Sequence, residues 1–281
     1  MALVYQQDPF RSRVMYPGDS RRSANPVRAI AAYVNWQIVA VFVALIGFFV
    51  FTLLQGGDHW RVPGTVGLVI VGWVFSLCLH EFAHAATAYI GGDHSDSTAS
   101  YLTFNPLKYL HPVLSILLPV VFMLLGGIGL PGGAVYLQPR LIRSRAWLSA
   151  VSAAGPLMNA LVALVCAIPF VVAPTFFLDH FALATALALL AFFQVAAVVL
   201  NLLPIPPLDG YGIIAPWLPR DIQQIAMSIA NYGFILLFVL LWYVPLANSL
   251  YFTTVFHLLA TVRIDPGLAL VGLSTFQFWA R

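Results

Sequence analysis

The chain has 281 residues, of which 61% are hydrophobic and only 8% are charged. Soluble globular domains carry about 25% charged residues, so this composition excludes an ordinary soluble protein and predicts an all-α polytopic membrane protein. The net charge of +3 does not indicate nucleic-acid binding, because the arginines cluster beside apolar segments, where they orient a membrane protein. We therefore expect a lipid bilayer, and no nucleic acid, around this chain.

One membrane-embedded domain, over 35–262, is expected to account for most of the chain. Residues 1–34 are predicted to form a flexible basic tail. They contain no apolar core followed by a cleavage site, so we expect no signal peptide. Residues 263–281 are expected to form a C-terminal tail. The two cysteines, Cys78 and Cys166, lie in apolar runs and indicate no disulfide framework.

The membrane spans can be predicted from apolar runs, because a spanning helix needs about 20 apolar residues. A shorter apolar run leaves open whether the chain has five or six transmembrane helices. Gly91 and Gly92 predict the end of the second span. The predicted spans are 36–54, 65–90, 146–172, 181–203 and 222–244, and the shorter run is 250–262.

Proline and glycine interrupt the segment between the second and third spans. Residues 113–133 are apolar but contain Pro119 and several glycines, so we expect a re-entrant hairpin that enters and leaves on one side. Two short β-strands are predicted to flank the hairpin, "ASYLTF" (99–104) and "AVYLQP" (134–139).

The second predicted span contains "HEFAH", with His80, Glu81 and His84. Positions i and i+4 share one helix face, so the two imidazoles can direct ring nitrogens at one ion, and zinc suits imidazole ligands. Glu81 is too far round the helix to complete the chelate. It can instead take the proton of a water whose pKa zinc lowers. Because ionisable groups in a membrane span are costly, a chance occurrence explains this motif poorly.

A catalytic zinc needs a third protein ligand, and "NLLPIPPLDG" (201–210) at the end of the fourth span offers Asp209. Its prolines cannot continue the helix and hold the chain extended. Taken alone, however, this segment is more typical of an ordinary Asp-Gly turn at a membrane surface.

Three motifs, "HEFAH", "AAGPLMN" (153–159) and "NLLPIPPLDG", occur here in the order found in the site-2 protease family. The chain resembles this family over roughly 64–210. "LTFNPLKYLHPVLSILLP" (102–119) resembles its compact prokaryotic branch, and no PDZ-like or CBS-like domain is recognisable. The resemblance implies an intramembrane zinc metalloprotease with one Zn²⁺ held by His80, His84 and Asp209, and with Glu81 as general base.

The resemblance also implies residues that meet the substrate. Asn201 is expected to contact the substrate backbone near the cleavage site, and Asn159 is a further candidate for substrate binding. Gly155, Pro156 and Asn159 match the family's small-residue motif, for which close helix packing is an alternative explanation. The family's usual substrates are single-span membrane proteins. An extended substrate segment could pair with the predicted strands by strand addition.

The topology can be predicted from charge. The arginine-rich N-terminus and the arginines near residue 143 are expected on the cytoplasmic side of a prokaryotic cell membrane. If His80 and Asp209 share a metal, the second and fourth spans must run in the same direction. The active site then lies toward the cytoplasm. The sequence leaves the oligomeric state open.

Two other functions could use the same residues. A metal transporter would use them as transit ligands, and a catalytically silent relative would bind membrane helices. A single site with a glutamate placed as a base favours the protease. Imidazoles with one carboxylate favour zinc without identifying it. His94 and His111 are weak candidates for supporting the ligands, and no role is predicted for the remaining histidines, His59, His180 and His257.

Overall fold

The computed structural model describes residues 25–108 and 138–280, and all regular structure within these ranges is helical. This confirms the all-α expectation for the described part of the chain. The α-helices are α1 (Pro26–Tyr33), α2 (Trp36–Gln55), α3 (Arg61–Gly91), α4 (Asp96–Tyr101), α5 (Arg145–Val172), α6 (Phe176–Asp179), α7 (Phe181–Asn201), α8 (Asp209–Ile214), α9 (Arg220–Ile229), α10 (Gly233–Tyr243), α11 (Pro245–Thr261) and α12 (Pro266–Phe276). Short 3-10 turns occupy Asp58–Trp60, Pro106–Lys108, Pro139–Leu141, Ala215–Trp217, Ala230–Tyr232 and Phe278–Ala280.

Four of the described helices, α2, α3, α5 and α7, are long and apolar enough to cross a membrane. They match the first four predicted spans to within a few residues. Gly92 ends α3 in the left-handed conformation, with φ +116°, as the paired glycines predict. A bent pair of helices, Ile235–Tyr243 and Pro245–Thr261, raises the number of candidate spans to five if the two count as one.

The fifth predicted span, 222–244, is wrong as a single helix. This region divides into α9, a 3-10 turn and α10. Arg220 and Asp221 make the start of α9 polar, and only α10 is apolar throughout. Pro245 disfavours helical backbone at Val244, which is extended at φ −108° and ψ 98°. The chain turns there, so that α10 and α11 meet at 91°.

Five other predicted segments differ from the structure or lie outside the described residues. The strand predicted over 99–104 is wrong, because residues up to Tyr101 belong to α4, whose N-terminus is capped by Ser95. Within the predicted N-terminal tail, Asn25 caps the helix α1. The predicted C-terminal tail contains α12. The hairpin over 113–133 and most of the strand "AVYLQP" lie outside the described residues.

Helices α3 and α5 run antiparallel. His80 contacts Asn159, and His84, one turn further along α3, contacts Val151, which precedes Asn159 by two turns. Beyond His84, at the end of α3, the amide of Arg143 donates to the carbonyl of Gly91 at 3.0 Å. The C-terminal end of α3 therefore lies beside the segment that leads into α5.

Helices α3 and α7 run in the same direction. Gly72 packs so closely on Leu190 that an added Cβ would lie 2.7 Å from its side chain. One turn later, Ser76 Oγ lies 2.8 Å from the side-chain nitrogen of Gln194. The predicted common direction of the second and fourth spans is confirmed.

Helix α7 forms the centre of the bundle. In the most apolar stretch of each helix, 78% of α7 is buried inside the protein, compared with only 11% of α2. The rings of Phe193 on α7 and Phe276 on α12 pack edge to face at 6.3 Å. At Gly272, an added Cβ would overlap the carbonyl oxygen of Thr185. Such close approach through small residues is how helices associate in lipid, and here it holds α12 against α7.

Candidate metal centre

The two histidines of "HEFAH" lie on one face of α3, as their spacing predicts. The Nε2 atoms of His80 and His84 are 3.1 Å apart. Both side chains are buried, with exposed fractions of 3% and 0%. The motif therefore brings two imidazole nitrogens to a single point between the helices.

Asp209 completes the cluster from a different part of the chain. It is the first residue of α8, and its Oδ2 and Oδ1 lie 3.4 Å and 3.5 Å from the Nε2 atoms of His80 and His84. At Gly210, an added Cβ would overlap the carbonyl oxygen of Leu202. The absence of a side chain there allows α8 to fold back tightly on the end of α7, and this return brings the carboxylate to the histidines.

The other nitrogen of each imidazole fixes its tautomer. His80 Nδ1 contacts Asn159 Oδ1 at 2.5 Å, and His84 Nδ1 contacts the carbonyl oxygen of Val151 at 2.6 Å. Both partner atoms are acceptors, so both Nδ1 atoms carry the hydrogen and donate. The two Nε2 atoms then present lone pairs toward each other and toward Asp209.

This arrangement fits a metal cation. Among the described residues, neither oxygen of the buried Asp209 carboxylate has a hydrogen-bond donor. Two lone pairs and a carboxylate therefore converge without a proton between them, which is costly in a buried site unless a cation joins them. Tetrahedral zinc with bonds of about 2.0–2.1 Å separates its ligand atoms by about 3.3 Å. The observed separations of 3.1–3.5 Å agree with that value.

Gly155 leaves room for the rings of His80 and His84 on the side of α5. A Cβ there would lie 2.6 Å from His80 Nε2 and closer still to His84 Nε2. Pro156 follows it inside the helix, where its missing amide hydrogen interrupts the backbone ladder next to Val151. The small-residue motif therefore lets α5 pack closely on α3, directly against the two histidine rings.

Glu81 lies beside this cluster but outside it. The described His, Cys, Asp and Glu side chains form one group able to share an ion, His80, His84 and Asp209. Glu81 is fully buried, and neither of its carboxylate oxygens has a hydrogen-bond partner among the described residues. A buried carboxylate left without a partner is expensive to maintain, which favours a chemical role over a structural one.

The remaining predicted residues are placed as follows. Asn201, the last residue of α7, is 3% exposed, and its contact with substrate stays a prediction. Asn159 directs its amide oxygen at His80 and its amide nitrogen at Gln194. Its predicted role in substrate binding is untested. His94 is exposed and packs on the ring of Tyr89 at 4.3 Å, and His111 lies outside the described residues.

Two residues that the sequence analysis did not select also belong to the site. Gln194 on α7 and Ser76 on α3 are buried and continue the hydrogen-bond chain behind Asn159. Gln194 stands in a long apolar run, and a polar residue within a membrane span is itself a signal of function. That signal was present in the sequence.

A second hydrogen-bonded link holds the segment that follows Asp209. Ser149 Oγ on α5 donates to the carbonyl of Ile213 at 2.6 Å and accepts from Trp217 Nε1 at 2.9 Å. This link ties α8 to α5, the helix that carries Gly155. It therefore fixes the position of the Asp209 carboxylate relative to Gly155.

The fold and site define a helical membrane protein in which two histidines and an aspartate, placed so that they could hold one metal ion, lie between the spanning helices beside a buried glutamate. Two relatives named "Putative zinc metalloprotease Rip2" are similar to this chain. The protein from Mycolicibacterium smegmatis is 45% identical over 219 residues, covering 77% of this chain and 82% of its own. The protein from Mycobacterium tuberculosis strain H37Rv is 38% identical over 251 residues, covering 85% and 93%.

A more distant relative is YwhC of Bacillus subtilis, which carries the same zinc metalloprotease name. It is 31% identical over 191 residues, covering 64% of this chain and 82% of its own. No family model matches the chain, and no solved structure gives a significant match. With these relatives and the three motifs in order, the chain belongs to the site-2 protease family.

Proposed function

We propose that this chain is an intramembrane zinc metalloprotease that hydrolyses peptide bonds in or near the transmembrane segments of other membrane proteins. One observation carries the proposal. Three ligand atoms from His80, His84 and Asp209 converge between helices long enough to span a membrane, with the buried carboxylate of Glu81 on the same helix as the histidines. The relatives named as zinc metalloproteases support the same chemistry.

In this proposal His80, His84 and Asp209 hold one Zn²⁺ by two imidazole nitrogens and a carboxylate. Zinc, when bound, polarises the scissile carbonyl and lowers the pKa of a water beside it. The chain's own contribution is to fix the three ligand atoms. The acceptors behind both imidazoles set the tautomers, and the tight return at Gly210 sets the position of the carboxylate.

Glu81 acts as the general base and then as the general acid. Its carboxylate takes a proton from the attacking water as the water oxygen bonds to the carbonyl carbon. It returns that proton to the leaving nitrogen as the C–N bond breaks. The absence of a competing hydrogen-bond donor among the described residues leaves both carboxylate oxygens available for this transfer.

The substrate must be locally unwound, because a helical segment uses its backbone amides and carbonyls internally. Asn201 is the last residue of α7, before the chain returns to Asp209, and in this proposal its side chain contacts the unwound backbone. With the strand over 99–104 absent, strand addition at that segment is not part of the proposal.

The same proposal places the protein in a prokaryotic cell membrane, with the N-terminus and the site toward the cytoplasm. The Arg143 amide binds the end of α3 at Gly91, so the arginines that precede α5 lie at that end of the bundle. Arginines concentrate on the cytoplasmic side of membrane proteins. His84 lies two turns before Gly91, a rise of about 10 Å.

The decisive experiment compares wild-type protein with Glu81→Gln, purified in detergent. Zinc content is measured by mass spectrometry, and cleavage is measured on a model single-span membrane protein. We expect about one zinc per chain in both proteins. Cleavage should fall by about 100-fold or more in the variant, because general-base catalysis contributes about that factor.

Other results would contradict the proposal. Wild-type protein without zinc would remove the metal centre. Zinc in both proteins, with equal cleavage, would exclude Glu81 as the base. Zinc in both, with no cleavage of a panel of single-span substrates, would favour a transporter or a silent helix-binding protein.

A further inference from the structure

We infer that Gln194 and Ser76 are positioning residues of the metal centre. They set the tautomer of His80 through Asn159 and so keep the lone pair on its Nε2 atom, which is the atom that would bind a metal. The inference rests on the proposed zinc site but concerns side chains outside the ligand set.

A continuous hydrogen-bonded chain leads from His80 across three helices. His80 Nδ1 contacts Asn159 Oδ1 on α5, and Asn159 Nδ2 lies 3.2 Å from Gln194 Oε1 on α7. Gln194 Nε2 lies 2.8 Å from Ser76 Oγ on α3, which in turn lies 2.8 Å from the carbonyl oxygen of Trp73. We call this chain of side chains, from Asn159 to Ser76, the relay. All of its members are buried, with exposed fractions of 6% or less.

The relay has a fixed direction because it ends on a backbone carbonyl. The oxygen of Trp73 can only accept, so the hydroxyl of Ser76 donates to it and accepts from Gln194 Nε2. The amide of Gln194 is then oriented with its oxygen toward Asn159. Asn159 must donate through Nδ2 to that oxygen, and its own oxygen must face His80.

The orientation of the Asn159 amide determines whether His80 can bind a metal. An acceptor facing His80 Nδ1 requires the hydrogen on Nδ1, which leaves the lone pair on Nε2. An Asn159 amide turned the other way would present a donor to Nδ1 and favour the hydrogen on Nε2. The Nε2 atom would then be unable to bind a metal without losing its proton.

The two histidines differ in how they are secured. The acceptor behind His84 is the backbone carbonyl of Val151, which has a fixed polarity and needs no further support. The acceptor behind His80 is an amide that can rotate by half a turn, and its polarity depends on the relay. His80 is therefore the ligand that the relay protects.

The test replaces Gln194 by methionine, which has similar length and no amide. Thr185→Val is the matched control, since Thr185 is also buried on α7 and its hydroxyl donates to the carbonyl of Ala182, one turn earlier on the same helix. Each protein is purified in detergent and freed of metal. Its zinc dissociation constant, its melting temperature without metal, and the visible absorption of its Co²⁺ form are then measured.

We expect Gln194→Met to weaken zinc binding by about tenfold, the lower end of the effect of groups that support metal ligands. Its Co²⁺ spectrum should change because a solvent ligand competes with the His80 imidazole, while Thr185→Val keeps the wild-type affinity and spectrum. If Gln194→Met does not fold, Ser76→Ala removes the end of the relay with a smaller change and carries the same expectation.

Two results would overturn the inference. Wild-type affinity and an unchanged Co²⁺ spectrum in both Gln194→Met and Ser76→Ala would show that the relay does not control His80. An equal loss of affinity in Thr185→Val would show a general effect of removing polar groups from α7. Wild-type protein that binds no zinc at all would instead defeat the proposed function, and the relay would then have no metal ligand to position.

Discussion

The carboxylate of Asp209 lies 3.4 Å from the Nε2 atom of His80, although the two residues are far apart in the sequence. Neither oxygen of that carboxylate has a hydrogen-bond donor among the described residues. The approach brings a buried negative charge to the lone pairs of two imidazoles. Without a cation this contact opposes folding, and with one it binds α8 to α3.

The first prediction follows from this contact. Removing metal with a chelator should lower the melting temperature of the wild-type protein in detergent, and added zinc should restore it. A ligand that binds only the folded state stabilises it by about 2.7 kcal/mol at 100 times its dissociation constant. Asp209→Asn should lose most of this zinc-dependent shift, because the amide supplies no charge to offset the ion.

The control for this prediction is Asp265→Asn, since Asp265 caps α12 by accepting from the Gly267 amide and lies outside the metal group. It should keep the full response to zinc. A melting temperature of the wild-type protein that is indifferent to both chelator and zinc would contradict a metal link between α8 and α3.

The second prediction concerns the space that Gly155 provides. Gly155→Ala places a methyl group against the Nε2 atoms of both histidines, so either the rings rotate or α5 moves away. Overpacking of this kind costs about 1–3 kcal/mol. We expect zinc binding to weaken by more than tenfold, together with loss of proteolysis.

Gly47→Ala is the matched control, because an added Cβ at Gly47 meets no atom within 4 Å and the residue is also in a spanning helix. It should bind zinc as the wild type does. If Gly155→Ala also binds zinc with wild-type affinity, the glycine serves helix packing alone, and the site tolerates a side chain at that position.

The histidine pair was predictable from the sequence, because two residues four apart on any helix share a face. The partnership of Asp209 with that pair was not predictable from local pattern, since an Asp-Gly after prolines is typical of a turn. It became an expectation only through the order of three family motifs. The tautomers depend on the backbone carbonyl of Val151 and on the relay, and contacts between distant helices leave no local signature.

The errors in the predicted secondary structure also have physical causes. Tyr101, Leu102 and Phe104 gave residues 99–104 the composition of a strand. The preceding turn favours a helix instead. Asp93 accepts hydrogen bonds from the Ser95 amide and the Thr98 hydroxyl, and these bonds order the start of α4. The strongly apolar second half of 222–244 likewise extended the predicted span over the polar residues of α9 and across the break before Gly233.

The third prediction tests the orientation in the membrane. Both native cysteines are buried, so a single introduced cysteine can be labelled selectively. In sealed cells, Arg143→Cys should be protected from a membrane-impermeant thiol reagent and should react once the membrane is opened. Asp58 is exposed and precedes the N-terminus of α3, at the end of that helix opposite to Arg143. Asp58→Cys should therefore react in sealed cells. The reverse pattern would place the metal centre toward the outer face.

The last prediction separates substrate contact from metal binding at Asn201. If its side chain hydrogen-bonds the substrate backbone, Asn201→Ala should lower kcat/KM by roughly two- to tenfold, since such a bond is worth about 0.5–1.5 kcal/mol. Zinc content should not change, because the ligand atoms come from three other residues. Asn248→Ala is the control, since the Asn248 amide binds the Leu241 carbonyl in the α10–α11 bend, and it should leave kcat/KM unaltered. A loss of zinc in Asn201→Ala would show that Asn201 supports the metal centre and not the substrate. An unchanged kcat/KM with full zinc content would show that Asn201 has no part in the mechanism.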